Sequence, residues 1–186
     1  ITVLPLIAGN TISSDQNICQ GSSFADLNGA TPTGGSGAYN YKWEASSDKT
    51  VWNAAPGANN TQNYNPADDS PGTYYFRRVV TSGPDDVCTD IPSSYLTLIS
   101  YPSISNNAIL TPPQTICAGA TINDLTGSAP TGGNGTYNYQ WQSSPDNSTW
   151  TPNGKTGQTM TGIPVNTTTY FNRVVTSSVC PASISS

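Results

Sequence analysis

TPTGGSGAYNYKW, Thr31 to Trp43, returns as APTGGNGTYNYQW, Ala129 to Trp141. Each copy has an Ile-Cys ahead of it, a second Trp behind it (Trp52 or Trp150), an aromatic-Arg-Val-Val run and then a second Cys. A period of roughly a hundred residues is too long for a solenoid repeat and suits one small domain. The chain therefore reads as two copies of one domain. Within the quoted stretch Tyr39, Tyr41 and Trp43 alternate with Asn40, Lys42 and Glu44, as Tyr137, Tyr139 and Trp141 alternate with Asn138, Gln140 and Gln142. A period of two places three aromatics on one face of a strand.

Working outward, no segment carries a 3.6-residue apolar period. Short apolar runs are separated by Gly, Pro and Asn clusters, the pattern of an all-β chain. SSDKT and SPDNST turn back towards Trp52 and Trp150, predicting hairpins. GTYYFRRVVTS answers TTTYFNRVVTS as a long strand, and Tyr95 to Ser100 (YLTLIS) closes the first copy, with Leu96 and Leu98 on one face. The second copy reads as lacking such a strand, while ITVLP at the start of the chain looks like a counterpart of LTLIS, Ile1 matching Leu96 and Val3 matching Leu98. The expected division is residues 1–9 as a strand completing a neighbouring domain, 10–101 as the first repeat and 102–186 as the second.

Cys19, Cys88, Cys117 and Cys180 fall two per repeat at matching places, which predicts one disulfide per domain, Cys19–Cys88 and Cys117–Cys180. Disulfides imply an oxidising, extracytoplasmic location. Zinc is the rival use of four thiols, but the sequence has no CxxC and no His.

A Trp on the third predicted strand, an aromatic on the long strand and a disulfide point to an immunoglobulin-like β-sandwich. Asp69-Ser70-Pro71-Gly72-Thr73-Tyr74 has the form of a tyrosine corner, which Val165-Asn166-Thr167-Thr168-Thr169 lacks. QTICAGATINDLTGSAPTGGNGTYNYQWQSSPDNSTW and TYFNRVVTSSVC resemble the tandem immunoglobulin-like repeats of very large surface adhesins and gliding-associated proteins of Bacteroidetes bacteria. The resemblance covers nearly the whole chain in both copies. It implies a secreted protein of the bacterial cell surface with an adhesive or fibre-forming role, and it brings no catalytic residues.

The residues themselves agree. Without His, a Ser–His–Asp or Cys–His device cannot be built. The single Glu, Glu44, is Gln142 in the second copy, and Asp26, Asp124, Asp48 and Asp146 lie in turn contexts. The reading is non-enzymatic. A net charge of −5 with six Lys and Arg leaves no basic stripe for nucleic acid or an anionic membrane. No apolar run reaches the roughly 18 residues of a spanning helix. No cofactor is called for. Asp68-Asp69 and Asp85-Asp86 are the candidates for calcium, but neither pair exists in the second copy and solvated loops account for them. Arg78 and Arg173 are expected to lay their stems on the sheet with wet heads.

Two partners follow. Ile1, Val3, Leu4 and Leu6 are expected to complete the second domain of another copy by strand addition, giving a head-to-tail filament. Equally, the chain reads as one period of a longer polypeptide, ITVLP then belonging to the preceding repeat. Trp52, Trp150 and Tyr64 are the candidate ligand-facing aromatics for a surface polysaccharide, with core packing as their other role.

Overall fold

The structure is a computed structural model that describes residues 1–66, 70–89 and 92–185. Asp68-Asp69, one of the calcium candidates, lies outside the described residues, as does Asp69 of the tyrosine corner. The chain divides into two compact units, Ile1–Ser100 and Tyr101–Ser186.

Unit 1 is built on β1 (Gln16–Cys19), β2 (Tyr39–Ser46), β3 (Asn53–Ala54), β4 (Gly72–Ser82), β5 (Cys88–Thr89) and β6 (Leu96–Tyr101). These form one sheet in the order β1-β6-β4-β2-β3, with β5 also on β4. β4 is its axis, pairing antiparallel with β2 from Tyr39↔Ser82 to Ser46↔Tyr75 and with β6 from Gly72↔Ser100 to Phe76↔Leu96. The opposing layer is held by single bridges, Ala8↔Thr33, Ile12↔Gly29 and Leu27↔Tyr64. The core between them contains Phe24, Leu27, Trp43, Tyr64, Phe76, Leu96 and Leu98. Trp43 is fully buried, and its indole N–H donates to Thr61 O at 3.0 Å, so burial strands no donor.

Unit 2 repeats the plan with β7 (Asn138–Ser144), β8 (Thr151–Pro152), β9 (Tyr170–Ser177) and β10 (Cys180–Ile184), ordered β10-β9-β7-β8. Its core is Ile122, Leu125, Trp141 and Met160. The Trp141 N–H donates to Gly157 O at 2.9 Å.

The Gly-rich turn holds the leading segment of each unit. Gly34 and Gly35 have φ of 81° and 60°, and a Cβ on Gly34 would collide with Leu6 O. Gly35 N donates to Pro5 O at 2.8 Å as Gly133 N donates to Pro102 O at 2.7 Å. Asn10 and Asn107 then take the same role on Arg78 and Arg173. These bonds align Pro5 with Pro102 and hence Ile1 with Leu98 and Val3 with Ser100, two residues from the sequence-based register. The shift is even, so the side chains keep their faces. Residues from Leu4 onward also pack on unit 1 itself: Leu4 lies beside Gly83, and Ala8 is bridged to Thr33.

The largest departure from expectation is the pair of arginines. Along β4 the inward phase reads Phe76, Arg78, Val80, Ser82, and both Arg78 and Arg173 are 0% exposed. Arg78 donates from Nε to Asn10 Oδ1 at 2.9 Å, from Nη1 to Gln62 O at 2.9 Å and from Nη2 to Ala30 O at 2.7 Å. Arg173 does the same with Asn107, Gln158 O and Ser128 O. Their heads are not wet, because carbonyls of the opposing layer converge on them and take the place of water. Burial holds the Arg173 guanidinium below the usual arginine range.

Candidate functional site: a groove and the two ends of each unit

In unit 1, β6 covers the flank of β4, and Leu96 and Leu98 seal the core. At the same place unit 2 has a groove of about 690 Å³. Ile109, Ile116, Ile122, Leu125 and Phe171 line it, in the positions of Ile12, Ile18, Phe24, Leu27 and Phe76. Tyr170 and Phe171 present the edge of β9 on its far wall. Among the described residues no strand of unit 2 pairs with β9 here. One consequence is local: β1 owes its ladder to β6, and its counterpart around Gln114 to Cys117 forms no strand. A strand in the groove would supply pairing on both sides at once.

Of the predicted donor residues, Ile1, Val3 and Leu6 are 123%, 85% and 92% exposed, a short apolar stretch open to solvent at the other end of the plan.

The cysteines are not paired as expected. Cys19 and Cys180 are disulfide-bonded, whereas Cys88 and Cys117 are free thiols. The reason is visible within each unit. The leading segment of unit 1 descends the sheet, with Leu4 beside Gly83, Asn10 Nδ2 donating to Arg78 O at 3.0 Å and Asp15 Oδ1 accepting from Thr97 N at 2.8 Å. Cys19 follows at the Gly72 end of β4, whereas Cys88 pairs with Ser82 at the opposite end. At about 3.3 Å per residue, the length of β4 separates the two by on the order of 30 Å, far beyond the roughly 7 Å limit between disulfide Cα atoms. In unit 2, Cys117 lines the groove beside Tyr170, while Cys180 pairs with Ser177 at the far end of β9. The distance again forbids Cys117–Cys180. Each unit therefore carries one sulfur at its groove end and one at the end where its leading segment enters.

The candidate ligand-facing aromatics separate. Tyr64 is 2% exposed, stacked on Trp43 at 5.7 Å between centroids, with its hydroxyl donating to Pro56 O at 2.8 Å. It is a core residue and shows no ring face to solvent. Trp52 is half-buried, with the Arg77 guanidinium 4.3 Å above its ring and Tyr95 at 6.4 Å. Lys49 lies 4.6 Å and 5.0 Å over the rings of Tyr75 and Tyr95, and Glu44 takes both Lys42 and Arg77. Burial alone would raise the Glu44 carboxyl, but the two cations outweigh it and hold it below its ordinary value. Sequence reading missed this ribbon because its members come from four separate segments. Trp150 is also half-buried, but Gln142 and Asn172 stand where Glu44 and Arg77 do in unit 1.

Asp48 and Asp146 are turn residues. Asp48 Oδ1 accepts from Val51 N at 2.9 Å and Thr50 N at 2.8 Å, and from Ser46 Oγ. Asp146 accepts from Thr149 N and Ser148 N, and from Ser144 Oγ. These donors hold both carboxyls well below the ordinary range. A depressed carboxyl stabilises the fold above its unfolded pKa of about 4 and ceases to as the pH falls through the folded value. Melting temperature is therefore expected to drop from pH 4 downward. In the Asp48→Asn, Asp146→Asn variant, which keeps the acceptors but not the charge, the drop should be shallower and the melting temperature at pH 7 lower. Calorimetry across pH 2 to 7 checks this; parallel curves would show that the two turns contribute nothing to acid sensitivity. Asp86 accepts from Thr81 and Asn40, which lowers its pKa. Among the described residues no group of three metal-ligating side chains occurs, and no helix is long and apolar enough to cross a membrane.

Both units match the profile of one family, described as "Domain of unknown function (DUF8696)", over residues 8–102 and 106–186. No curated protein matches the sequence. Among solved structures, the chain is similar to Sidekick-1 immunoglobulin domains 1–4, at 12% identity and a TM-score of 0.52, over 98% of this chain and 48% of that one. The chain thus spans about half the length of that structure, and the likeness shows an immunoglobulin-like β-sandwich fold.

Proposed function

This chain belongs to the DUF8696 family, in two consecutive copies, and from that premise we propose that it serves as an extracellular structural and adhesive repeat of a surface fibre or stalk, without enzymatic activity. In this reading each unit is completed by a strand of the LTLISY kind, lent head to tail by a neighbour or supplied by covalent continuation of the chain. The observation that carries it is the groove of unit 2 at the place where unit 1 seats Leu96 and Leu98. An immunoglobulin-like fold with a disulfide suits an oxidising exterior.

The test is direct. A synthetic LTLISYP peptide added to the chain should raise the melting temperature and slow hydrogen exchange in residues 101–185 but not in unit 1. Absence of any protection would remove the complementation reading.

The second reading is a polysaccharide-binding module, and the Trp52, Tyr95, Tyr75 ribbon is what favours it. Sugars stack on exposed ring faces, yet Arg77 and Lys49 already cover faces of this ribbon. A saturable change in tryptophan fluorescence on titration with a polysaccharide, lost in Trp52→Ala, would favour the binding module over the spacer.

A further inference from the structure

The cations of this chain are unevenly distributed. Of its six Lys and Arg, Arg78 and Arg173 are enclosed by backbone carbonyls. Lys155 belongs to unit 2. The remaining three, Lys42, Lys49 and Arg77, converge with Trp52, Tyr75 and Tyr95 on the face of the unit 1 sheet turned away from its core. The chain as a whole carries −5. We propose that this face binds an acidic polysaccharide, its uronate carboxylates meeting Lys49 and Lys42 while its rings lie against Tyr95. The proposal rests on the second reading above and names the ligand class for it.

The ladder between β2 and β4 builds the surface. It sets Lys42 opposite Val79, Glu44 opposite Arg77 and Ser46 opposite Tyr75, all in the outward phase. Glu44 is committed to Lys42 at 2.9 Å and Arg77 at 2.8 Å, so one carboxylate orients two cations. Asp48 is turned back on the amides of its own loop, and Asp15 accepts from Thr97 N. Lys49 has no carboxylate partner among the described residues. Its ammonium stands over the rings of Tyr75 and Tyr95 instead. A ring face attracts an ammonium without neutralising it, which leaves the charge available to an anion. The covered ring faces thereby gain a reason. A neutral sugar would need them bare, whereas a charged one meets the cations that they hold.

The fold does not require this set. Unit 2 keeps the same ladder with Gln140, Gln142 and Asn172 in the places of Lys42, Glu44 and Arg77. Lys49 is more telling. It has a φ of 67°, and its counterpart Asn147 has 56°. Asn enters this left-handed region readily and Lys rarely, so the turn alone favours Asn. The ammonium, not the backbone, accounts for a Lys here. An acidic peptide fits the face less well, because β4 and β2 are each paired on both sides and offer no open edge for strand addition.

The experiment titrates the 186-residue chain with polygalacturonate, with dextran as a neutral glucan and with poly-L-glutamate, following tryptophan fluorescence. A saturable response to polygalacturonate alone is expected, weakened about tenfold or more in about 0.5 M NaCl by screening. Lys49→Asn, which gives unit 1 the residue that unit 2 has in this turn, should melt no lower than the parent chain. It should bind about fivefold more weakly, the upper range for one exposed ion pair. Lys49→Arg should restore binding. Unchanged affinity in Lys49→Asn would overturn the placement of the site. Equal affinity for poly-L-glutamate would overturn the proposal by reducing it to undirected charge attraction. Dextran binding as tightly as polygalacturonate would overturn the acidic ligand and leave the polysaccharide reading standing. A response to neither polysaccharide would overturn both.

Discussion

Arg78→Met is expected to destabilise unit 1 by about 3–5 kcal/mol, since each buried polar group left without its hydrogen-bond partner costs about 1–3 kcal/mol. The side chain is similar in length, so the effect is polar rather than steric. Asn10 Oδ1, Gln62 O and Ala30 O would each lose their donor in a site closed to water. Two of these acceptors are backbone carbonyls, so no second substitution can make the site apolar. Arg78→Lys should not rescue, since an ammonium cannot present the planar fork that reaches three acceptors in different directions. A unit of this size has a total stability of about 5–15 kcal/mol, and each kcal/mol is worth about 4–8 °C, so a fall in melting temperature of roughly 12–40 °C is expected by calorimetry. Gly29→Ala should act the same way, because its Cβ would fall on Arg78 Nη1. Arg173→Met and Gly127→Ala are the equivalent tests in unit 2. A change under about 1 kcal/mol would mean that water replaces the guanidinium at no cost.

Trp141→Ala is expected to cost unit 2 about 3–5 kcal/mol, the usual loss for a buried aromatic. The consequence should be worse than for Trp43→Ala at equal cost. Trp43 stacks on Tyr64, which packs at 5.4 Å on Phe76, and Leu96 and Leu98 close that cluster. Trp141 has Ile122, Leu125 and Met160 as its buried companions, with the groove open beside Leu125. Hydrogen exchange should show residues 101–185 largely unprotected in Trp141→Ala, while Trp43→Ala keeps measurable protection in unit 1. Equal loss in both would show that the groove does not weaken the second core.

Both of these residues were within reach of the sequence, to different degrees. Trp43 and Trp141 follow from strict alternation in β2 and β7. The same rule applied to Phe76, Arg78, Val80 and Ser82 puts the arginine inside, but its charge argues for the surface, and only the converging carbonyls of residues distant in sequence resolve the conflict. Tyr64 has no neighbouring alternation to place it; a single bridge to Leu27 and a stack on Trp43 do so. The groove was legible from the lack of an LTLIS match in the second copy. The register of ITVLP was not, because a five-residue apolar run fits at either of two even offsets, and hydrogen bonds to the glycine turns decide it.

The cysteines show a limit of a different kind. Two thiols at matching places in each repeat are equally consistent with a bond inside a repeat and a bond to the next one. Periodicity fixes the positions of the sulfurs along the repeat but carries no phase for the bond between them. The length of β4 supplies the phase, since it holds Cys19 and Cys88 too far apart to meet.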